Sequence, residues 1–145
     1  MLISTKGRYA LRFLADVAEH QGEGCVPLRD VAARQEISEK YLEIVVKELV
    51  KGDLLTAQRG KGGGYRLSRP PEAYAVKDIL ERMEGPLVPV ACLEPGSPAC
   101  PRREGCRTLP LWQGLGQVIS DYLTQFTLAD LIRREGEQSS SPMSL

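Results

Sequence analysis

Ser38-Glu39-Lys40-Tyr41-Leu42-Glu43-Ile44-Val45-Val46-Lys47-Glu48-Leu49-Val50-Lys51-Gly52 is followed, after one residue, by Leu54-Leu55-Thr56-Ala57, Gln58-Arg59-Gly60-Lys61-Gly62-Gly63-Gly64 and Tyr65-Arg66-Leu67. The first part predicts an amphipathic helix. Ser38 is a good N-cap, and Tyr41, Leu42, Val45, Val46, Leu49 and Val50 recur at helical spacing. Gly52 stands where a glycine closes a helix. The rest predicts two short strands joined by a turn with four glycines in five positions, a backbone able to approach another surface closely. Residues 54–69 carry Arg59, Lys61, Arg66 and Arg69 and no acid.

Upstream, Ala10, Leu11, Leu14, Ala15, Val17 and Ala18 mark one face of a helix from Ser4–Thr5 to about His20. Gln21-Gly22-Glu23-Gly24 stops it. Leu28, Val31 and Ala32 predict a short second helix, and Gln35-Glu36-Ile37 a tight connection to the third. Three helices and then a glycine-tipped hairpin is the order of a winged helix-turn-helix. The expected fold is mainly α with a small β-hairpin wing, in a unit over residues 1–85. The helix-turn-helix falls at about 28–51 and the wing at about 54–68. In such a fold the third helix enters the major groove of DNA by its N-terminal residues. Ser38 and Tyr41 can donate to phosphate, Lys40 can pair with phosphate or guanine, and Glu43 can accept from cytosine N4. Arg59 and Lys61 flank Gly60 at the wing tip, placed to enter the minor groove. Alone, a basic turn is usually just solvated and an amphipathic helix usually just core. The two in this order favour DNA.

Beyond Pro70-Pro71, Val76, Ile79, Leu80 and Met83 mark another helix, ended by Gly85-Pro86. Residues 86–107 have no periodicity and hold five prolines and three cysteines, a loop shaped by something bound. A helix follows over residues 108–135, with a restart at Thr127 and Asp130 for a short terminal helix. Its residues Trp112, Leu115, Ile119, Tyr122 and Phe126 step by 3, 4, 3 and 4, a seam suited to pairing with another helix. The Ser-rich tail 136–145 is expected to be disordered.

The 145 residues fit one domain, with 42% apolar and 26% charged residues, as in a soluble globular protein. Nineteen basic and nineteen acidic side chains cancel overall. Residues 1–69, however, hold 12 basic and 9 acidic side chains, and residues 70–145 hold 7 and 10. Lys6, Arg8, Arg12, Asp16 and Glu19 interrupt the first twenty residues, so the reading is a cytoplasmic protein. A single histidine, His20, and no phosphate loop argue against an enzyme: Lys61 is followed by glycine, not by Ser or Thr.

In a reducing compartment cysteines serve as ligands or reactive thiols rather than disulfides. Cys92, Cys100 and Cys106 are separated by seven and five residues, beside Arg102, Arg103 and Arg107. Positive charge favours thiolates, and thiolates hold iron–sulfur clusters. Zinc with a further ligand, a thiol redox switch or three inert thiols are the alternatives. Cys25 stands apart and reads as structural.

Met1-Leu2-Ile3-Ser4-Thr5-Lys6-Gly7-Arg8-Tyr9-Ala10, Ser38-Glu39-Lys40-Tyr41-Leu42-Glu43 and Arg59-Gly60-Lys61-Gly62-Gly63-Gly64-Tyr65 closely resemble the IscR/NsrR/CymR family (the Rrf-two type) of bacterial winged helix-turn-helix transcriptional regulators. The resemblance spans roughly residues 1–135. It implies a homodimer crossed by the long C-terminal helix and bound to a palindromic promoter site on double-stranded DNA. The positions matching the family's DNA-reading residues are Ser38, Lys40, Tyr41, Glu43, Arg59 and Lys61. The cysteine triad matches the cluster-binding branch, which implies a [2Fe-2S] or [4Fe-4S] cluster sensing iron–sulfur status, nitric oxide or redox. Its fourth ligand is unknown. The histidine of one branch is Leu109 here, and the acid of another is Arg8. Glu94, Glu104, or Asp16, Glu19 and His20 of the partner subunit are the candidates left. Leu80-Glu81-Arg82-Met83-Glu84-Gly85-Pro86 resembles the CymR-like branch, which implies the alternative of a cluster-free regulator of cysteine and sulfur metabolism, controlled by a protein partner or thiol oxidation.

Overall fold

The computed structural model describes residues 3–133. Met1, Leu2 and the tail expected to be disordered lie outside the described residues. The chain runs α1 (Thr5–His20), α2 (Leu28–Gln35), α3 (Glu39–Lys51), β1 (Leu55–Gln58), β2 (Gly64–Leu67), α4 (Val76–Glu84), α5 (Leu109–Thr124) and α6 (Leu128–Ile132). Short 3-10 turns stand at Pro71–Ala73 and Ala91–Leu93. This is the expected winged helix-turn-helix with a long helix behind it.

Helix α1 starts at Ser4, whose hydroxyl accepts from Gly7 N–H. A second acceptor comes from far along the chain. Oε1 of Glu84, at the end of α4, takes the N–H groups of Ser4 and Gly7 at 3.0 Å each. The carboxylate sits so close to Gly7 that a side chain there would collide with it. Helices α2 and α3 meet at Glu36, which adopts the left-handed conformation (φ 54°). Ser38 then caps α3, accepting from Tyr41 N–H at 3.1 Å.

At the other end of α3 Gly52 closes the helix as expected, its N–H bonded to the Glu48 carbonyl, but without the left-handed turn. The left-handed residue is Asp53 (φ 61°), whereas Gly52 has φ −84°. Gly52 also leaves room for Arg82 on α4: a Cβ would fall 2.7 Å from its Nε, and the arginine would have to move.

Strands β1 and β2 pair antiparallel with Leu55 opposite Leu67 and Gln58 opposite Gly64. Val26, just before α2, adds a single antiparallel bridge to β2 by exchanging two 2.8 Å backbone bonds with Tyr65. The wing is thus stitched to the entrance of the helix-turn-helix.

The main core joins Phe13, Leu14 and Val17 of α1, Leu42, Val45 and Leu49 of α3, Leu55 and Leu67 of the wing, Ile79 of α4 and Leu128 of α6. Tyr74 is buried among them, its hydroxyl donating to Leu54 C=O at 2.6 Å. A smaller core unites Val76 and Leu80 of α4 with Leu87 and Phe126, flanked by Ile119 and Leu123. The seam read from the sequence therefore mixes two faces of the last helix. Ile119 and Phe126 pack inward on α4, while the outward apolar stripe is Leu111, Leu115, Val118 and Tyr122.

Buried Asp16 ties α1 to α2. It accepts from Arg34 through Nε and Nη2, the latter at 2.6 Å, and from Gln35 Nε2 at 2.9 Å. Burial alone would raise its pKa. The hydrogen bonds from Arg34 and Gln35 and the charges of Arg34 and His20 outweigh that and hold it below the usual carboxylate range.

Candidate nucleic-acid interface and cysteine loop

Because Leu42, Val45, Val46 and Leu49 face the core, helical geometry turns Lys40, Glu43, Ile44 and Lys47 outward as one stripe. Ser38, Lys40 and Glu43 are exposed. Tyr41 is half-buried, its ring edge-on to Tyr9 of α1 at 5.4 Å between centroids. Its ring thus has a packing role as well as a place at the start of α3.

In the wing, Arg59, Gly60 and Lys61 are exposed, and Gly60 (φ 91°) and Gly62 (φ 76°) take conformations that favour glycine. Gly64 (φ 142°) crosses the backbone of Val26 too closely for any side chain. An open cleft of about 700 Å³ lies between wing and helices, lined by Arg29, Glu39, Glu43, Lys61 and Tyr65 among others. It brings together two of the residues singled out from the sequence, Glu43 and Lys61. Ser38, Lys40, Tyr41 and Arg59 do not line it. Arg29 escaped the sequence reading. Its side chain is 80% exposed in the first turn of α2, and the Val26–Tyr65 pairing is what carries it to the wing. A basic residue at the start of the predicted helix-turn-helix was the only available signal.

The cysteine loop leaves α4 at Gly85 and reaches α5 at Leu109. Its backbone bonds include Glu94 N–H to Ala91 C=O at 3.0 Å and Arg103 N–H to Cys100 C=O at 3.0 Å, each spanning three residues. Cys92, Cys100 and Cys106 are free thiols, the first two exposed and the third half-exposed. Sγ of Cys106 is 3.6 Å from Thr108 Oγ1. Hydrogen bonds from the Thr108 side chain and from the N–H groups of Thr108 and Leu109, at the start of α5, lower the Cys106 pKa. The thiolate-favouring partner is thus Thr108 and the helix start, not the neighbouring arginines.

In kind, three accessible thiols on an irregular loop suit an iron–sulfur cluster. In position, no group of three or more His, Cys, Asp or Glu side chains among the described residues is gathered as a metal site. Both carboxylate oxygens of Asp16 are engaged by Arg34 and Gln35. Nδ1 of His20 lies 2.8 Å from the Asp16 carbonyl oxygen. Cys25 is half-buried, with Sγ 3.4 Å from Gln58 Oε1 at the end of β1.

Residues 3–134 match the profile of the family described as "Rrf2: Iron-dependent Transcriptional regulator". The chain belongs to the Rrf2 family. The HTH-type transcriptional regulator IscR of Erwinia tasmaniensis is 39% identical over 135 residues, covering 93% of this chain and 81% of that protein. Among solved structures, CymR, the global cysteine regulator of B. subtilis, is 34% identical with a TM-score of 0.77, covering 91% of this chain and 96% of that one. IscR of T. potens is 33% identical with a TM-score of 0.74, covering 96% and 93%. This Rrf2-family chain is accordingly a DNA-binding transcriptional regulator and not an enzyme. No helix among the described residues is long and apolar enough to cross a membrane.

Proposed function

We propose that this Rrf2-family regulator works as a homodimer on a palindromic promoter site. Each protomer lays the start of α3 in the major groove and carries Arg59 and Lys61 into the adjacent minor groove on its wing tip. Ser38, Lys40 and Tyr41 meet phosphate or guanine, and Glu43 accepts from cytosine N4. The observation that carries this reading is the cleft in which Glu43 of α3 and Lys61 of the wing face the same space. The stripe Leu111, Leu115, Val118 and Tyr122, stepping by 4, 3 and 4, supports pairing of α5 with its copy.

The second part of the proposal is that Cys92, Cys100 and Cys106 hold an iron–sulfur cluster, with a fourth ligand from elsewhere. Three free thiols on one loop and the iron-dependent description of the family support it. When bound, such a cluster supplies one-electron redox chemistry and an iron open to small oxidants or nitric oxide. The chain's own task is to carry the state of the loop to α3, and α4 is built for that. Its end residue Glu84 caps α1, and Arg82 reaches α3, with Nη2 3.6 Å from Glu48 Oε2 and Nε 3.4 Å from the Glu48 carbonyl oxygen. A reordered loop pulls on α4, and α4 bears on the reading helix. Dimeric half-sites stand about 34–36 Å apart, so a small shift changes affinity greatly.

Anaerobic reconstitution with iron and sulfide tests this. The expected product is coloured, contains iron, and changes its affinity for its own promoter DNA when the cluster is lost. A triple Cys92→Ser, Cys100→Ser, Cys106→Ser variant should be colourless and unresponsive. The second reading is a cluster-free, CymR-like regulator controlled by a protein partner or thiol oxidation. The CymR likeness and the scattered thiols favour it. Under that reading the wild type takes up no iron, and the triple variant keeps its DNA binding and its redox response.

A further inference from the structure

The exposed large apolar side chains among the described residues are Ile44, Val50, Leu111, Leu115, Val118 and Tyr122. Four of them form the α5 stripe. Of the two on α3, Ile44 is 56% exposed and sits inside the outward stripe, between Lys40 and Glu43 on one side and Lys47 on the other. Neither local propensity nor solubility calls for a β-branched apolar residue at an exposed helix position ringed by charges. A base edge does. Thymine alone presents an apolar group, its C5-methyl, in the major groove.

We propose that Ile44 is a specificity-determining residue that packs on the methyl group of one thymine in each half-site, next to the base pair met by Glu43. This rests on the reading in which α3 lies in the major groove. It adds a contact that is apolar and therefore independent of salt, unlike the basic contacts around it.

The test uses the full-length protein and a duplex selected by it from random sequences. Each thymine is replaced in turn by deoxyuridine, which keeps pairing and removes only the methyl. Wild type should lose roughly three- to tenfold in affinity at one thymine per half-site, the scale of one buried methyl. Ile44→Ala should bind the thymine and uracil duplexes equally, with its salt slope unchanged, and Ile44→Val should keep part of the discrimination. A wild type indifferent to every replacement, or an Ile44→Ala variant with the same penalty, overturns the proposal while leaving DNA binding intact. A protein that selects no duplex at all overturns the groove reading, and this inference with it.

Discussion

Helices α3 and α5 are both amphipathic, and they end their packing differently. Helix α3 buries Leu42, Val45, Val46 and Leu49 and turns Lys40, Glu43 and Lys47 to solvent. Helix α5 sends Ile119 and Leu123 toward α4 and leaves Leu111, Leu115, Val118 and Tyr122 bare, with no acid in its first turn and no base in its last. The first helix is complete within one protomer and presents chemistry suited to a polyanion. The second is complete only when something apolar covers it. Under the proposed function, DNA reading falls to the front of the molecule and assembly to the rear.

The sharpest way to break this contrast is truncation on both helices. Leu49→Ala removes a fully buried side chain of α3 and should cost about 2–5 kcal/mol in urea unfolding. Val118→Ala, at a position 63% exposed, should shift the unfolding of the isolated protomer by no more than about 0.5 kcal/mol. Equal costs would mean that α5 is as finished as α3. Val118→Glu addresses the cover itself. Placing a charge in an apolar pairing seam should weaken self-association roughly a hundredfold, read by sedimentation over a dilution series. A variant that associates like wild type would assign the stripe to some other role.

Much of the front was legible because its determinants are local. Ser38 caps, the apolar periods declare three helices, and the glycine cluster forces a hairpin, all within short windows. What the sequence hid depends on distant neighbours. Gly52 ends α3 as its sequence position suggests, but the room it leaves for Arg82, thirty residues on, is invisible locally. Arg29 becomes part of the cleft only because Val26 pairs with Tyr65. The rear was harder. A 3-4 spacing fits more than one phase on a helix that is apolar on two sides, so the seam through Ile119 and Phe126 was confused with the one through Leu111 and Val118. The lowered Cys106 pKa likewise has its source in the start of α5, which the spacing of the cysteines does not reveal.

The joint between α1 and α2 offers a pH-dependent comparison with the loosely bonded cysteine loop. Asp16 has a depressed folded-state pKa, so its contribution is complete above about pH 4 and declines as acid protonates it through that lower value. Asp16→Asn should cost about 1–3 kcal/mol near neutrality. It should also flatten the acid side of the melting-temperature profile. A wild-type profile already flat below about pH 4 would contradict the depressed value.

The smallest effect tests the link between the two regions. Glu84 closes α4, and its Oε1 accepts from Ser4 N–H and Gly7 N–H at the start of α1. Glu84→Ala should cost about 0.5–2 kcal/mol, the range of a lost N-cap. Glu84→Gln keeps an oxygen acceptor and loses only the charge at the helix start, about 0.3–1 kcal/mol. If α4 carries the state of the cysteine loop forward, Glu84→Ala should also narrow the difference in DNA affinity between iron-loaded and iron-free protein by more than the core variant Leu49→Ala does. An unchanged difference would restrict Glu84 to capping and leave Arg82, on the same helix, as the route to α3.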